Sequence, residues 1–581
     1  MTEQSQDTQA GAERSAIARD RQLLVDARKK GKVSLFGAFV KLSGPGWLQS
    51  AITLGSGSLA GALYLGILGG LAFLWLQPLA MIMGVIMLSA IGYVTLSTGE
   101  KPFRAINKHV NPVLGWGWII ATMLANLIWC LPQYSVGTAA VRQNLLPKLV
   151  GAEAMTAMQW PDWVGNAIVV AAITILCVVV VIFYDKGRKG IRILEWILKG
   201  MVGVIVVSFI GVVVVMSLSA QGLDWGQIGA GLIPDLGLLS RPAGTFDAAL
   251  GAVGEQFRNF WSNEIVSQQR DVMISAAATA VGINMTFLLP YSMLKKGWDK
   301  TFRGLAIFDL STGLFIPFIL VTGCVVIAAS AQFHNKPAEG VLEGTAPAGV
   351  MNKYHKVAGK RLEREIGKDE FKKLAKDKDE LDQRISALPE ADRRMAAMLV
   401  KRDAFDMAKS LSPLTGKHFA NYVFGIGVVG MAISSIIVLM LINGFVICEM
   451  VGVESRGLLY RFGALMPAAV GLLGPFIWSG KAQFWLAVPT SVFGMVLIPI
   501  AYFTFFLLMN QKSLLGENRP RGMKRLMWNV LMFVAAGLAA MGSFWSLWSK
   551  LKVWGIVIFA GFVVLAVVVQ IVRKKPQSQP Q

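Results

Sequence analysis

Residues 45–68 read PGWLQSAITLGSGSLAGALYLGIL, and their reading decides the fold. The stretch is long and apolar enough to cross a bilayer, since ~20 helical residues at ~1.5 Å each match a hydrocarbon core of about 30 Å. Yet Gly55-Ser56-Gly57-Ser58 stands at its middle, placing two flexible residues and two hydroxyls near the membrane midplane. Backbone that leaves the helix at that depth must line a cavity or be buried in protein, because lipid cannot satisfy its polar groups. Residues 273–294 repeat the sign, with Gly282 and Asn284 followed by Pro290. Interrupted helices at corresponding positions of two halves point to an inverted-repeat transporter with its site at the breaks. A close-packing glycine face would account for Gly55, Gly57 and Gly61 without any site.

Working outward, apolar stretches predict twelve spans: 45–68, 71–97, 114–141, 164–183, 193–218, 273–294, 304–331, 419–446, 460–479, 482–509, 524–547 and 553–572. The chain has 581 residues, of which 54% are apolar and 16% charged. Soluble domains carry about a quarter charged residues, so the expectation is an all-α polytopic membrane protein. The net charge of +21 invites a nucleic-acid reading until its placement is considered. With the N-terminus cytoplasmic, 27 Lys and Arg fall on the inner side of the spans and 8 in the short outer loops. That bias sets both termini cytoplasmic. It also uses up the excess charge, so no nucleic-acid face is expected. The setting is a multi-pass membrane protein, in the inner membrane if the cell is bacterial, with the lipid bilayer as its standing partner. The first 30 residues lack the apolar core of a signal peptide. Trp116, Trp118, Trp160, Trp163, Trp225, Trp478, Trp545 and Trp548 fall near span ends, as interfacial anchors do.

Segments 1–42 and 573–581 are expected in the cytoplasm, flanking spans one to seven (43–331) and eight to twelve (418–572). Between them, residues 332–417 carry 18 basic and 14 acidic residues and read as an aqueous insertion of two or three amphipathic helices. Ser386 to Pro389 marks a break and a new helix start. The connection 219–272 holds Asp224, Asp235, Asp247, Glu255, Glu264 and Asp271, either a cation-attracting rim or a plain polar loop. Cys130, Cys177, Cys324 and Cys448 have no metal-site or disulfide spacing. No cluster of His, Cys or carboxylate faces the bilayer interior, so an enzyme is not expected, and nothing in the sequence calls for a cofactor.

The strings Ser43-Gly44-Pro45-Gly46-Trp47, Phe424-Gly425-Ile426-Gly427 and Ile498-Pro499-Ile500 resemble, in this order, strings of the Nramp family of divalent metal transporters. Ser43-Gly44-Pro45-Gly46-Trp47 opens span one as Gly-Pro-Gly-Phe opens that family's first helix. Leu411-Ser412-Pro413-Leu414-Thr415-Gly416, then Phe424-Gly425-Ile426-Gly427, are similar to its approach to helix eight. Ser434-Ser435 resembles its Gln-Ser-Ser, and Glu449 stands where the family has Met-Glu-Gly. Ile498-Pro499-Ile500 through Leu514-Leu515-Gly516 resembles the end of helix ten, and Gly231-Leu232-Ile233-Pro234 also fits. The resemblance covers most of 43–540, with 332–410 largely inserted. It implies the LeuT-type fold: spans one to five and six to ten as inverted repeats, helices one and six broken, two helices added.

The family's metal ligands do not carry over. Its Asp-Pro-Gly-Asn string in helix one falls on Gly55, Ser56, Gly57 and Ser58, and its Met-Pro-His in helix six on Thr286, Phe287 and Leu288. Met285 is adjacent to the methionine position. The acids the family carries in helix three are also missing; Asn126, Gln133 and Tyr134 are the polar groups there. Asp309, near the inner end of span seven, is the main intramembrane acid, either functional or paired with Arg303 or Lys300. A divalent ion needs several hard or soft ligands and usually a carboxylate. The expected substrate is therefore a partly hydrated cation such as magnesium, as in Nramp-related magnesium carriers, or a small neutral or zwitterionic solute. A non-transporting receptor or sensor on the same fold is the rival. The candidate binding residues are Thr53, Gly55, Ser56, Gly57, Ser58, Asn284, Met285, Thr286, Thr490 and Ser491. Of these, Ser58 and Thr286 are the metal candidates; Asn126, Asp309 and Glu449 are the coupling candidates.

Overall fold

The helix that begins at Pro45 stops at Thr53, and a second runs from Ser56 to Gly69. Between them Leu54 and Gly55 leave helical geometry, Gly55 with extended backbone. The break therefore precedes the expected Gly-Ser-Gly-Ser centre, and Ser56 to Ser58 form the first turn of the second half-helix. The computed structural model describes residues 3–184, 188–218, 222–401, 417–477 and 487–573.

Span six breaks in the same manner, between Glu255–Ala280 and Ile283–Lys295, with Val281 and Gly282 extended. It begins at Glu255 instead of near 273, because polar residues conceal its first turns from a hydropathy reading. Three of those residues have partners far along the chain: Gln269 accepts from Ala243 N at 2.9 Å, Lys360 pairs with Glu264 at 2.7 Å, and Lys550 with Asp271 at 2.8 Å. Asp235 is paired with Arg241, and Asp224 caps the helix Trp225–Ala230. Asp224, Asp235, Glu264 and Asp271 are thus engaged by cations or a helix end, while Asp247 and Glu255 are exposed.

Span two is Leu76–Thr98, span three Pro112–Ala140, span four Asp162–Tyr184 and span five Arg188–Leu218. Span seven is Arg303–Leu310, a π turn at Ser311–Phe315, then Ile316–Phe333. Spans eight to ten are Lys417–Val451, Gly457–Gly471 with its continuation Gly474–Ile477, and Ala487–Met509. Among the described residues, eleven helices are long and apolar enough to cross a membrane. The last, Gly522–Val572, has 51 residues. At ~1.5 Å each it would be about 76 Å long, over twice a bilayer core of about 30 Å. Lys552, at φ 53°, divides it into two spans, which restores the expected twelve. Spans one and six enter from opposite ends and break at corresponding places, as the LeuT-type inverted repeat requires. Trp118 corrects an expectation: it is fully buried in the bundle and donates to Thr286 Oγ1 at 3.0 Å, so it is no interfacial anchor.

The two chain ends share one end of the bundle. Arg21, on the helix Glu3–Lys30, pairs with Asp299 at 2.6 Å, and Arg573 donates to Lys108 O at 2.6 Å. We call this the terminal end and the opposite one the insertion end. Among its described residues the insertion has four helices, where two or three were expected: Ala348–Ile366, Lys368–Leu374, Lys378–Ser386 and Glu390–Met398. The predicted restart holds, since Pro389 precedes the last of them. The string Leu411–Gly416 lies outside the described residues.

The insertion is fastened to the first half of span six. Arg361 and Asp392, each 2% exposed, face one another at 3.3 Å. Trp261 Nε1 donates to Asp392 Oδ1 at 2.5 Å, and the Arg361 guanidinium lies over the Phe257 ring at 3.0 Å. Removing one partner of such a pair strands a buried charge, while replacing both with apolar residues of similar volume is often neutral. Asp392→Ala should therefore cost about 3–5 kcal/mol of unfolding free energy. The double variant Arg361→Met/Asp392→Leu should recover most of it, as read by denaturant unfolding.

A neutral cavity at two helix breaks

A helix that stops inside a membrane leaves carbonyls at one end and N–H groups at the other without partners. At the first break these groups are met from neighbouring spans. Ser434 Oγ donates to Ala51 O at 2.8 Å, and Ser435 Oγ reaches Ile52 O at 3.3 Å. Ser58 Oγ donates back across the break to Thr53 O. On the other side, Gln133 Oε1 of span three accepts from Ser56 N at 3.0 Å. Gly55 has to be a glycine here: a Cβ would lie 2.5 Å from Ser435 Oγ and 3.1 Å from Gln133 Nε2.

The second break is tied to the first through side chains. Thr53 Oγ1 donates to Met285 Sδ at 2.9 Å. Asn284 Oδ1 accepts from Met285 N at 2.8 Å, whereas its buried Nδ2 has no hydrogen-bond partner among the described residues. Trp129 of span three closes the gap toward span ten by donating to Thr490 O at 2.8 Å.

These groups enclose a cavity of about 50 Å³, counted as the space open to the centre of a water-sized sphere. About 10–15 Å³ on that measure holds one water, so the space takes a small ion with a few waters, or a solute of a few heavy atoms. Of the candidate binding residues, Thr53, Gly55, Gly57, Ser58, Asn284, Met285, Thr490 and Ser491 line it. Ser56 and Thr286 do not. The Ser56 amide faces Gln133, and Thr286 Oγ1 is taken by Trp118 and by Ile283 O. Thr286 is therefore no metal candidate in this arrangement. Gln133, Trp129 and Thr279 complete the wall. The polarity of Gln133 in span three pointed to it; Trp129 and Thr279 gave no sequence signal, being ordinary residues of their helices.

No Asp, Glu, Lys, Arg or His lines the cavity, and no group of three metal-ligating side chains occurs among the described residues. The coupling candidates lie elsewhere. Asn126 is fully buried with neither amide atom hydrogen-bonded among the described residues. Glu449 is held at the terminal end by Lys101 at 2.6 Å and Arg104 at 3.6 Å. Asp309 does not pair with Arg303 or Lys300; it accepts hydrogen bonds from the start of span one. Arg303 instead donates to Asn518 and stacks over Tyr93.

Gln133→Ala removes the acceptor for Ser56 N and leaves that amide buried without a partner. The expected cost is about 1–3 kcal/mol, read as a lowered unfolding midpoint, with Gln133→Glu retaining most of the stability.

Comparison with known proteins agrees with this architecture. Solved structures that match include two single-residue variants of the manganese transporter of Eremococcus coleocola, with 13% and 12% identity and a TM-score of 0.57 for each. Each match covers 92% of this chain and 94% of the other. The same transporter in complex with an aromatic bis-isothiourea substituted compound matches with 13% identity and a TM-score of 0.57, over 93% and 95%. No curated protein gives a significant sequence match. The family model described as natural resistance-associated macrophage protein-like matches residues 46–354 and 394–549, so the chain belongs to the Nramp family.

Proposed function

We propose that this protein is a secondary transporter that moves a small divalent cation across the membrane by alternating access, taking the ion with part of its water shell. The observation that carries the reading is the cavity itself. It sits where both broken helices meet, and it offers hydroxyls, amides, a thioether and backbone carbonyls but no charge. Such a lining is a poor substitute for the full hydration shell of a divalent ion. Magnesium dehydrates reluctantly and usually keeps several waters, and a cavity that holds a few waters suits that habit. Family membership and the shared fold with manganese transporters support transport over catalysis. The charge bias of the loops supports cytoplasmic placement of both termini and an outer, aqueous position for the insertion.

The residues proposed to contact the ion or its waters are Ser58, Asn284, Met285, Thr490 and Ser491, with Gln133 added from the geometry. Asn284 Nδ2 faces this role as a donor, which favours bound water or an anionic group over a bare cation. That donor is also the specific observation behind a second reading, transport of a small zwitterionic solute.

Purified protein in liposomes should show saturable uptake of magnesium or manganese, lowered about tenfold by Asn284→Ala through a lost hydrogen bond. Absence of divalent flux, with uptake of a small zwitterion under the same conditions, would replace the first reading by the second.

A further inference from the structure

The nine-residue half-helix Pro45–Thr53 is fastened at its start by a carboxylate from another span. Asp309, 1% exposed, accepts from Gly46 N at 2.6 Å, from Gly44 N at 3.1 Å and from Ser43 Oγ. These are the donors a helix start leaves unsatisfied, and the helix dipole favours a negative charge there. The approach is close enough that a Cβ at Gly46 would collide with the Asp309 carbonyl. Asp309 itself sits just before the π turn Ser311–Phe315, an irregularity that widens span seven beside the half-helix.

Two more spans join at the same place. Lys199 of span five donates to Ser43 O at 2.8 Å. Glu195, one turn earlier, pairs at 2.9 Å with Lys296, which closes the second half of span six. A Cβ at Gly44 would lie 2.7 Å from Glu195 Oε1. Two acids and two bases therefore balance within one polar knot. It holds the terminal-end halves of both broken helices against spans five and seven.

Each of those halves has its other end at a break, so each is a short rod free at one end unless the knot holds the other. On their side of the cavity Thr53, Asn284 and Met285 are buried and Ile52 is partly exposed, while Gly57 and Thr279 on the insertion-end halves are partly exposed. We infer that Asp309 is a positioning residue: its carboxylate pins the half-helix Pro45–Thr53 and keeps the cavity shut toward the terminal end. Release of that carboxylate frees the half-helix to swing about Leu54–Gly55 and opens the cavity on that side. The inference rests on the transport reading for its purpose but not for its test.

Hydrogen–deuterium exchange on the full-length protein in detergent measures the pinning without any substrate. In Asp309→Asn, amides of residues 46–53 should exchange about tenfold faster, the worth of a charge-assisted hydrogen bond. Residues 56–69 and 102–109 should keep their protection. Ser43→Ala, which removes one donor and leaves the carboxylate, should give a smaller acceleration of about threefold over the same residues. Ser43→Ala also carries the test if the Asp309 variant cannot be purified. Unchanged protection of 46–53 in a folded variant, or equal acceleration throughout the bundle, would overturn the inference. Either result would leave the ion-uptake reading standing.

Discussion

Everything in this bundle follows from the need to satisfy backbone polar groups where two helices stop inside the membrane. An amide or carbonyl left bare in hydrocarbon costs several kcal/mol, and each break exposes several of them. The chain meets the need with side chains from spans three and eight: Gln133 for an N–H of the second half-helix, Ser434 and Ser435 for carbonyls of the first. Those spans must therefore pack against the break, and by doing so they become walls of the cavity. Gln133 is for that reason both a structural cap and part of the cavity wall.

Charge is placed with equal consistency. The ionised side chains near the spans gather at the two ends, in pairs such as Lys101 with Glu449 and Lys296 with Glu195, and the centre stays neutral. A neutral centre offers no Coulomb attraction strong enough to strip an ion of its water. In the transport proposed above, discrimination then comes from the size of the hydrated species and the direction of a few dipoles, as with Asn284 and the hydroxyls of Ser58 and Ser491.

The fold was readable because its cause is written locally. Twenty-residue apolar runs, a bias of Lys and Arg, and Gly-Ser or Gly-Asn interruptions each have a direct physical meaning. Span six shows the limit: its first turns carry Glu264, Gln269 and Asp271, whose partners come from residues 243, 360 and 550, far away in sequence. Hydropathy sees polar residues and cannot see that they are paired. The same reason separates the two failures at the cavity. Ser56 and Thr286 have the right chemistry, but Gln133 takes the Ser56 amide and Trp118 takes the Thr286 hydroxyl, both from span three. Asp309 was recognisable as an unusual buried acid, yet besides the Ser43 hydroxyl its partners are backbone amides, which no residue type announces.

The insertion leaves the chain after span seven and returns at span eight, but it grips span six. Its buried Arg361–Asp392–Trp261 contact ties the insertion to the first half of span six. If the transport proposed above moves that half of span six, the cavity and the surface of the insertion are two sites on one body. Linkage makes such coupling reciprocal: an antibody fragment or ion that prefers the insertion in one position changes affinity at the cavity by a factor α. A substrate that holds span six changes affinity at the insertion by the same α. A surface far from the membrane midplane thereby becomes a handle on the binding site.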